Sequence, residues 1–297
     1  MVNELNLIAN PTSRGGIVAL KKVEEILNKL KVKFKTFICE RAVDARPIVA
    51  QICKQGGNIV AIGGDGTFHN VINAITDFDK VTVGFVAGGT GNDFAQTLGV
   101  SSDPVHAIQE VLDGDVQKID LIDISGIKCL NVASTGLDIE VLRTYDKVKI
   151  FKGKARYYWA LLKTLIRFSS YKAIITIDGE KIERNALVVA AGNGKCFGGG
   201  MVVLPHAEPN NGKINVTIIN RIKKYQIPTK LPKFVKGKHD KLEGIAEHYL
   251  CDEFEVILPE EKAPATEIDG EVINGHPFKC KILPSVLKIF KPKSKRS

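Results

Sequence analysis

The run Asn58 to Ile62 is apolar enough for a buried strand, passes directly into Gly63-Gly64-Asp65-Gly66-Thr67, and is followed by the helical pattern Phe68 to Ile75. A strand that ends in glycines and turns at once into a helix is a β-loop-α unit. The same succession recurs where Thr82 to Val86 reads as a strand and Gly88-Gly89-Thr90-Gly91-Asn92-Asp93 opens the next helix. Leu5 to Ala9 is a further short strand, and Leu20, Val23, Leu27 and Leu30 follow it at helical spacing. Strands alternating with helices call for a parallel sheet wrapped by helices. In such a sheet both glycine-rich loops lie at the carboxyl ends of strands, where ligands bind.

From about Leu121 the periodicity changes to two, as in Ile214, Val216 and Ile218, in Phe254, Val256 and Leu258, and in Phe278, Cys280 and Ile282. These read as strands with one buried face, and Asp178-Gly179 reads as a tight hairpin turn between two of them. The fold class expected is therefore an α/β N-terminal domain followed by a β-rich antiparallel sandwich or barrel, interrupted by one helix from Lys154 to Phe168. The boundary falls at residues 1–122 and 123–284, with the segment 285–297 a candidate to rejoin the first domain.

Glycines in the two loops let backbone amides approach a phosphate closely, and the helix that follows each loop favours negative charge at its N-terminus. Asp65, set between glycines, can hold a Mg²⁺ ion that bridges phosphates or accept a hydroxyl proton. A plain tight turn with a capping aspartate would use the same residues. Two such loops side by side suit a polyphosphate. Neither matches GxxxxGK[ST] or the GxGxxG of dinucleotide folds, so the phosphate grip is of another kind.

The six cysteines, Cys39, Cys53, Cys129, Cys196, Cys251 and Cys280, show no CxxC pair and no metal-ligand spacing, which reads as reduced buried thiols in a cytoplasmic protein. No start-of-chain signal is expected, and the stretch Tyr157 to Ile166 is too short, and broken by Lys163, to cross a bilayer. A formal net charge of +9 suits an acidic partner such as nucleotide phosphates or an anionic membrane, or simply keeps the chain soluble. Nucleic acid is not expected, because the basic residues are dispersed and lack interleaved stacking aromatics.

In these motifs the chain resembles the diacylglycerol kinase catalytic-domain family, which includes bacterial lipid kinases and sphingosine kinases. The likeness runs from Asn10-Pro11, Ser13, Gly15 and Gly16 through GGDGT at Gly63 and GGTGNDFA at Gly88 to Ser134-Thr135-Gly136-Leu137-Asp138. It continues through Gly192-Asn193, Gly198 to Gly200, Pro205 and Ala207 to Asp269-Gly270-Glu271. The resemblance implies an ATP- and Mg²⁺-dependent kinase acting on a lipid hydroxyl, most simply diacylglycerol, with the nucleotide in the interdomain cleft and the lipid in the β-rich domain. It implies peripheral attachment at the inner membrane face and leaves room for a homodimer.

Carried over residue by residue, Asp65 belongs to the metal and phosphate machinery and Asp93 to a charged network beside it. Gly63, Gly64, Gly66, Thr67, Gly88, Gly89, Thr90 and Asn92 line the phosphates, with Asn10 and Cys39 facing the nucleotide. Glu271 is the base that takes the lipid proton, its carboxylate projected by the turn at Gly270; an ordinary hairpin turn like Asp178-Gly179 reads the same way. The chain departs from the family pattern at Asn70, usually glutamate; at Cys39, usually threonine; at Ala87, usually proline; and at Asn211-Gly212, usually Asp-Gly. Asn211 thus stands where the family's structural Mg²⁺ site has a carboxylate.

Two other readings use the same features. A GGDG loop also occurs in NAD kinases, and Asn70 and Asn211 would suit a lipid-binding or regulatory protein that has lost catalysis. The helix carrying Tyr157, Tyr158, Trp159, Leu162, Leu165 and Ile166 is either an interfacial helix touching lipid or a core-facing helix with a solvated basic face. The basic tail, Lys291, Lys293, Lys295 and Arg296, either adds attraction to anionic lipid or is an ordinary chain end.

Overall fold

The computed structural model describes residues 4–11, 14–148, 150, 153–168, 170–259, 265–273 and 278–292. Ser13 and the basic positions 293, 295 and 296 fall outside the described residues. The chain divides into two compact units, residues 1–121 with 284–297, and residues 122–283.

The first unit runs β1 (Glu4–Ala9), α1 (Arg14–Lys29), β2 (Lys33–Ile38), α2 (Ala42–Gln55), β3 (Gly57–Gly63), α3 (Asp65–Ala74), β4 (Val81–Ala87), α4 (Asp93–Leu98), α5 (Pro104–Asp113) and most of β5 (Val116–Ile124). The strands β2, β1, β3 and β4 are neighbours in that order and all parallel. Their inward side chains are fully buried, among them Leu5, Leu7, Val60, Ile62 and Val86, with Val23 and Leu27 of α1 packed on them. Burying a side chain of this size contributes roughly 1.5–3 kcal/mol. Leu30, expected to continue the helical stripe, instead lies beyond the end of α1 and is exposed.

Register is what matters for function. Ala9 pairs with both Ile38 and Ile62, and Gly63 pairs with Ala87, so β1 to β4 end level with one another. The residues that follow, Asn10, Cys39, Gly64 and Gly88, are thereby delivered to one edge of the sheet.

The second unit contains β6 (Ile127–Cys129), β7 (Val132–Gly136), α6 (Leu137–Lys147), α7 (Gly153–Arg167), β8 (Tyr171–Ile177), β9 (Glu180–Gly192), β10 (Cys196–Phe197), β11 (Met201–Val202), β12 (Ile214–Asn220), α8 (Ile227–Val235), β13 (Ala246–Cys251), β14 (Glu253–Ile257), β15 (Thr266–Ile268), β16 (Glu271–Ile273) and the first part of β17 (Phe278–Phe290). Its strands pair antiparallel in the order β16, β15, β7, β9, β8, β14, β17, and β12 lies between β9 and β13. Ile214, Val216 and Ile218, Phe254 and Val256, and Phe278, Cys280 and Ile282 are buried together, which agrees with the period of two. Three α-helices, α6, α7 and α8, stand among the described residues of this unit, where the sequence reading has only one. None of the described helices is long and apolar enough to cross a membrane.

Candidate functional site

The first glycine loop turns from β3 into α3 at Gly64, whose carbonyl accepts the backbone N–H groups of Thr67 at 2.9 Å and Phe68 at 3.2 Å. Asp65 is thus the first residue of the helix, where the orphan amides and the helix dipole favour negative charge. The second loop is closed on itself by Asn92, a left-handed residue (φ 53°). Its side-chain oxygen accepts the Gly89 N–H at 2.9 Å, and its amide group donates to the Gly89 carbonyl at 3.0 Å. Asparagine tolerates that backbone conformation better than most residues.

The two loops are pressed together backbone on backbone. A Cβ on Gly89 would sit 2.5 Å from the Gly64 Cα, and one on Gly64 would sit 3.1 Å from the Gly89 Cα. Gly15 packs in the same way against the Gly88 carbonyl, and a Cβ on Gly88 would lie 2.9 Å from the Gly16 Cα. Glycine is required here first for loop-on-loop contact, a reason that local sequence does not reveal. The Gly88 N–H also donates to the Gly63 carbonyl at 2.7 Å.

Across this seam Asp65 Oδ1 accepts the Phe94 N–H at 3.2 Å, fixing the carboxylate against the start of α4. A methyl group on Gly91 would meet Asp65 Oδ2 and Asp93 Oδ2 at 3.2 Å each, so both carboxylates face the same glycine. Asp93 is buried, whereas Thr90 is exposed and Thr67 half-buried, its side chain filling the space left by the missing Cβ of Gly63. Gly66 lies in the first turn of α3. Asn10 donates its N–H to the Ile62 carbonyl at 3.2 Å, and Cys39 donates its N–H to the Ala9 carbonyl at 2.9 Å. Cys39 is buried, and burial, aided by the charge of Asp44, raises its thiol pKa, so it is a small apolar wall and not a reactive thiolate. Asn10, Cys39 and the residues of both glycine loops therefore lie on the edge formed by the ends of β1 to β4.

Among the described residues no three His, Cys, Asp or Glu side chains are grouped to hold a metal. The Asp65 and Asp93 pair fits Mg²⁺ all the same, because that ion is commonly held by one or two carboxylates plus phosphate oxygens and water. Asn211 belongs to the second unit, in an exposed turn before β12, and its side-chain oxygen accepts the Lys213 N–H at 3.0 Å. It shapes a turn.

In the second unit Asp269 and Gly270, at φ 52° and 92°, form a two-residue hairpin turn that pairs Ile268 with Glu271. Two positive φ values are the mark of the primed turn that suits strand twist. The run therefore forms a hairpin, and Glu271 is exposed at the start of β16. Asp269 contributes more than the turn: its buried carboxylate accepts the N–H groups of Leu130 (2.9 Å), Asn131 (2.8 Å) and Val132 (3.2 Å) and the Cys129 thiol (3.3 Å). Asp178 does the same at the other Asp-Gly turn, accepting the N–H groups of Asp252 at 2.8 Å and Glu253 at 2.9 Å.

Sequence reasoning missed a buried carboxyl pair. Asp138 is buried at the start of α6, and its Oδ2 accepts the Ser134 hydroxyl at 2.6 Å. Ser134 is the cross-strand partner of Glu267, itself buried on β15. Burial pushes the Asp138 carboxyl up to about 6, against hydrogen bonds from Ser134 and Glu267 that pull it down.

Comparison with known proteins completes the picture. Residues 4–124 match the diacylglycerol kinase catalytic domain, and residues 131–291 match the YegS C-terminal NAD kinase beta sandwich-like domain. A diacylglycerol kinase of Mycobacterium tuberculosis is 26% identical over 309 residues, covering 98% of this chain and 96% of the relative. The fold is shared with the crystal structure of a diacylglycerol kinase from Bacillus anthracis, at TM-score 0.73 and 20% identity over 97% of each chain. It is shared more loosely with an NAD kinase from Archaeoglobus fulgidus in complex with ATP, at TM-score 0.56 and 15% identity over 98% of this chain and 94% of that one.

Proposed function

We propose, since the chain belongs to the family of diacylglycerol kinases and related lipid kinases, that it transfers the γ-phosphoryl group of ATP to a lipid hydroxyl, diacylglycerol being the first candidate. The observation that carries this reading is the seam between the two glycine loops, with Asp65 and Asp93 both facing Gly91. Phosphoryl transfer asks a protein chiefly for positioning and charge stabilisation. Backbone amides at the ends of β3 and β4 are suited to grip the phosphates. Asp65 and Asp93 would hold Mg²⁺, which supplies positive charge against the phosphate oxygens. Glu271, the family's base position, would accept the proton of the lipid hydroxyl.

An acyl chain needs an apolar wall. The second unit has a small cavity of about 40 Å³ walled by Leu137, Leu161, Leu165, Leu187, Phe234 and Ile245. That lining is apolar, as an acyl chain would need and a nucleotide such as NAD would not, and the cavity would have to widen to admit one.

The test is labelled-phosphate transfer from ATP to diacylglycerol, a sphingoid base and NAD, each offered separately, the lipids in mixed micelles. Incorporation into diacylglycerol supports the reading. Incorporation into NAD alone replaces it with an NAD kinase activity.

A further inference from the structure

Ile214, Val216 and Ile218 of β12 are buried in the core of the second unit, so the alternating residues Asn215 and Thr217 face the other way. They open on a cavity of about 310 Å³, walled also by Leu204, His206, Ala207 and His248. None of these residues belongs to the phosphate loops or lines the apolar cavity walled by Leu161 and Phe234.

Asn215 is only 4% exposed, yet among the described residues neither its Oδ1 nor its Nδ2 has a hydrogen-bond partner. A buried amide without partners costs free energy, so its position calls for a polar molecule in the cavity. The space equals about ten waters at roughly 30 Å³ each, and it reaches the range of small-molecule sites, roughly 300–1,000 Å³.

The walls say which kind of molecule. No Asp, Glu, Lys or Arg is among the described residues that line the cavity, so neither a phosphate nor an ammonium group would meet an opposite charge there. The Phe234, His239 and His248 rings form a stacked column, with 4.9 Å and 5.5 Å between successive centroids and 6° and 16° between planes. His248 is the end of the column that opens on the cavity. Its Nδ1 lies 3.0 Å from Thr217 Oγ1, and His206 stands edge-on to it at 4.9 Å and 86°. Aromatic rings favour stacked and edge-on contacts at such distances. A side-chain amide presents a donor beside an acceptor, the pattern with which asparagine forms two parallel bonds to the edge of adenine.

We propose that this cavity binds a neutral heteroaromatic ring whose edge carries a donor beside an acceptor, the chemistry of a nucleobase or of nicotinamide. Asn215 pairs with the edge, and His206 and His248 pack on the ring. The argument uses neither the phosphate loops nor the apolar cavity, so it stands or falls apart from the kinase reading.

The test adds adenine, cytosine or nicotinamide to the full chain and follows the imidazole resonances of its six histidines by NMR, with toluene as a ring that lacks the polar edge. The resonances of His206 and His248 should shift with at least one of the three polar rings and stay in place with toluene. Asn215→Leu should weaken that binding by at least about tenfold, the worth of a lost pair of hydrogen bonds, while the melting temperature holds or rises because an unpartnered buried amide is gone. A base held by the phosphate-loop unit instead would not respond to this change. Should Asn215→Leu fail to fold, Thr217→Val, which keeps the shape of the side chain, should weaken binding severalfold. The proposal is overturned if neither histidine shifts with any of the polar rings, if toluene binds as well as they do, or if affinity is unchanged in whichever variant folds. It is also overturned if a crystal grown with saturating adenine, cytosine or nicotinamide shows ordered water alone against Asn215.

Discussion

Asp65 Oδ1 accepts the backbone N–H of Phe94 at 3.2 Å, joining the glycine loop after β3 to the helix that follows β4. One carboxylate thus has two jobs, holding the seam and facing Gly91 together with Asp93. The two jobs separate by substitution.

Asp65→Asn keeps an oxygen that can accept the Phe94 N–H but removes the charge. Transfer should fall by a factor of about 10²–10⁴, the usual worth of a positioned ionisable or electrostatic group. The melting temperature should move little. A large drop in thermal stability would assign Asp65 to the fold.

Gly89→Ala places a methyl group 2.5 Å from the Gly64 Cα, against backbone that has no soft side chain to yield. Forced overpacking of this kind costs about 1–3 kcal/mol. Denaturant melts should show that loss, and nucleotide affinity should fall with it because the loops are spread. Unchanged affinity in a destabilised protein would mean that phosphates do not rest on this seam.

The Asp-Gly-Glu run offers a second separation. Asp269→Asn turns one acceptor of its buried carboxylate into an amide donor facing backbone N–H groups, and should destabilise by about 1–3 kcal/mol. Glu271→Gln, at an exposed position, should leave stability alone and depress kcat. If Glu271→Gln changes neither, the hairpin is structural from end to end.

Two carboxyls set opposite pH slopes. Asp138, raised by burial to about 6, binds a proton in the folded chain at pH values where the unfolded chain, with an ordinary carboxyl near about 3.9, has lost it. Its contribution is full below that unfolded value and is lost as pH rises through about 6. Glu247 is lowered to about 2, first by its hydrogen bond from Arg184 and further by Tyr249 and Asn220. Its contribution is present above the unfolded value of about 4.3 and is lost as pH falls toward about 2. Asp138→Asn should therefore flatten the stability profile on the upper side, and Glu247→Gln on the acid side. Urea midpoints across the pH range check both signs.

Much of this was legible in the residue order. The strands β3 and β4 are unbroken apolar runs that stop at glycines, so both the parallel sheet and the position of the loops follow from them. The strand β2 was not, because it is an edge strand in which Lys33, Thr36 and Lys35 share space with Phe34 and Phe37, and no apolar run stands out. Helix α8 contains Pro228 and Pro232, which read as turn signals, and α6 follows so closely on β7 that its Leu137 and Val141 blend into the strand pattern. Side-chain partners were the least legible. Asp269 is recognisable as a turn residue from its glycine neighbour, but the amides of Leu130 to Val132 that it grips lie far away in sequence. The same distance hid the pairing of Ser134 with Glu267.

The central claim is tested most directly by following label from the γ-phosphate of ATP into diacylglycerol, with wild type and Asp65→Asn side by side and both verified as folded. The account predicts a labelled lipid product with wild type that falls at least about a hundredfold in the variant. Equal labelling by the two proteins, or none by either on any lipid hydroxyl offered, would contradict it.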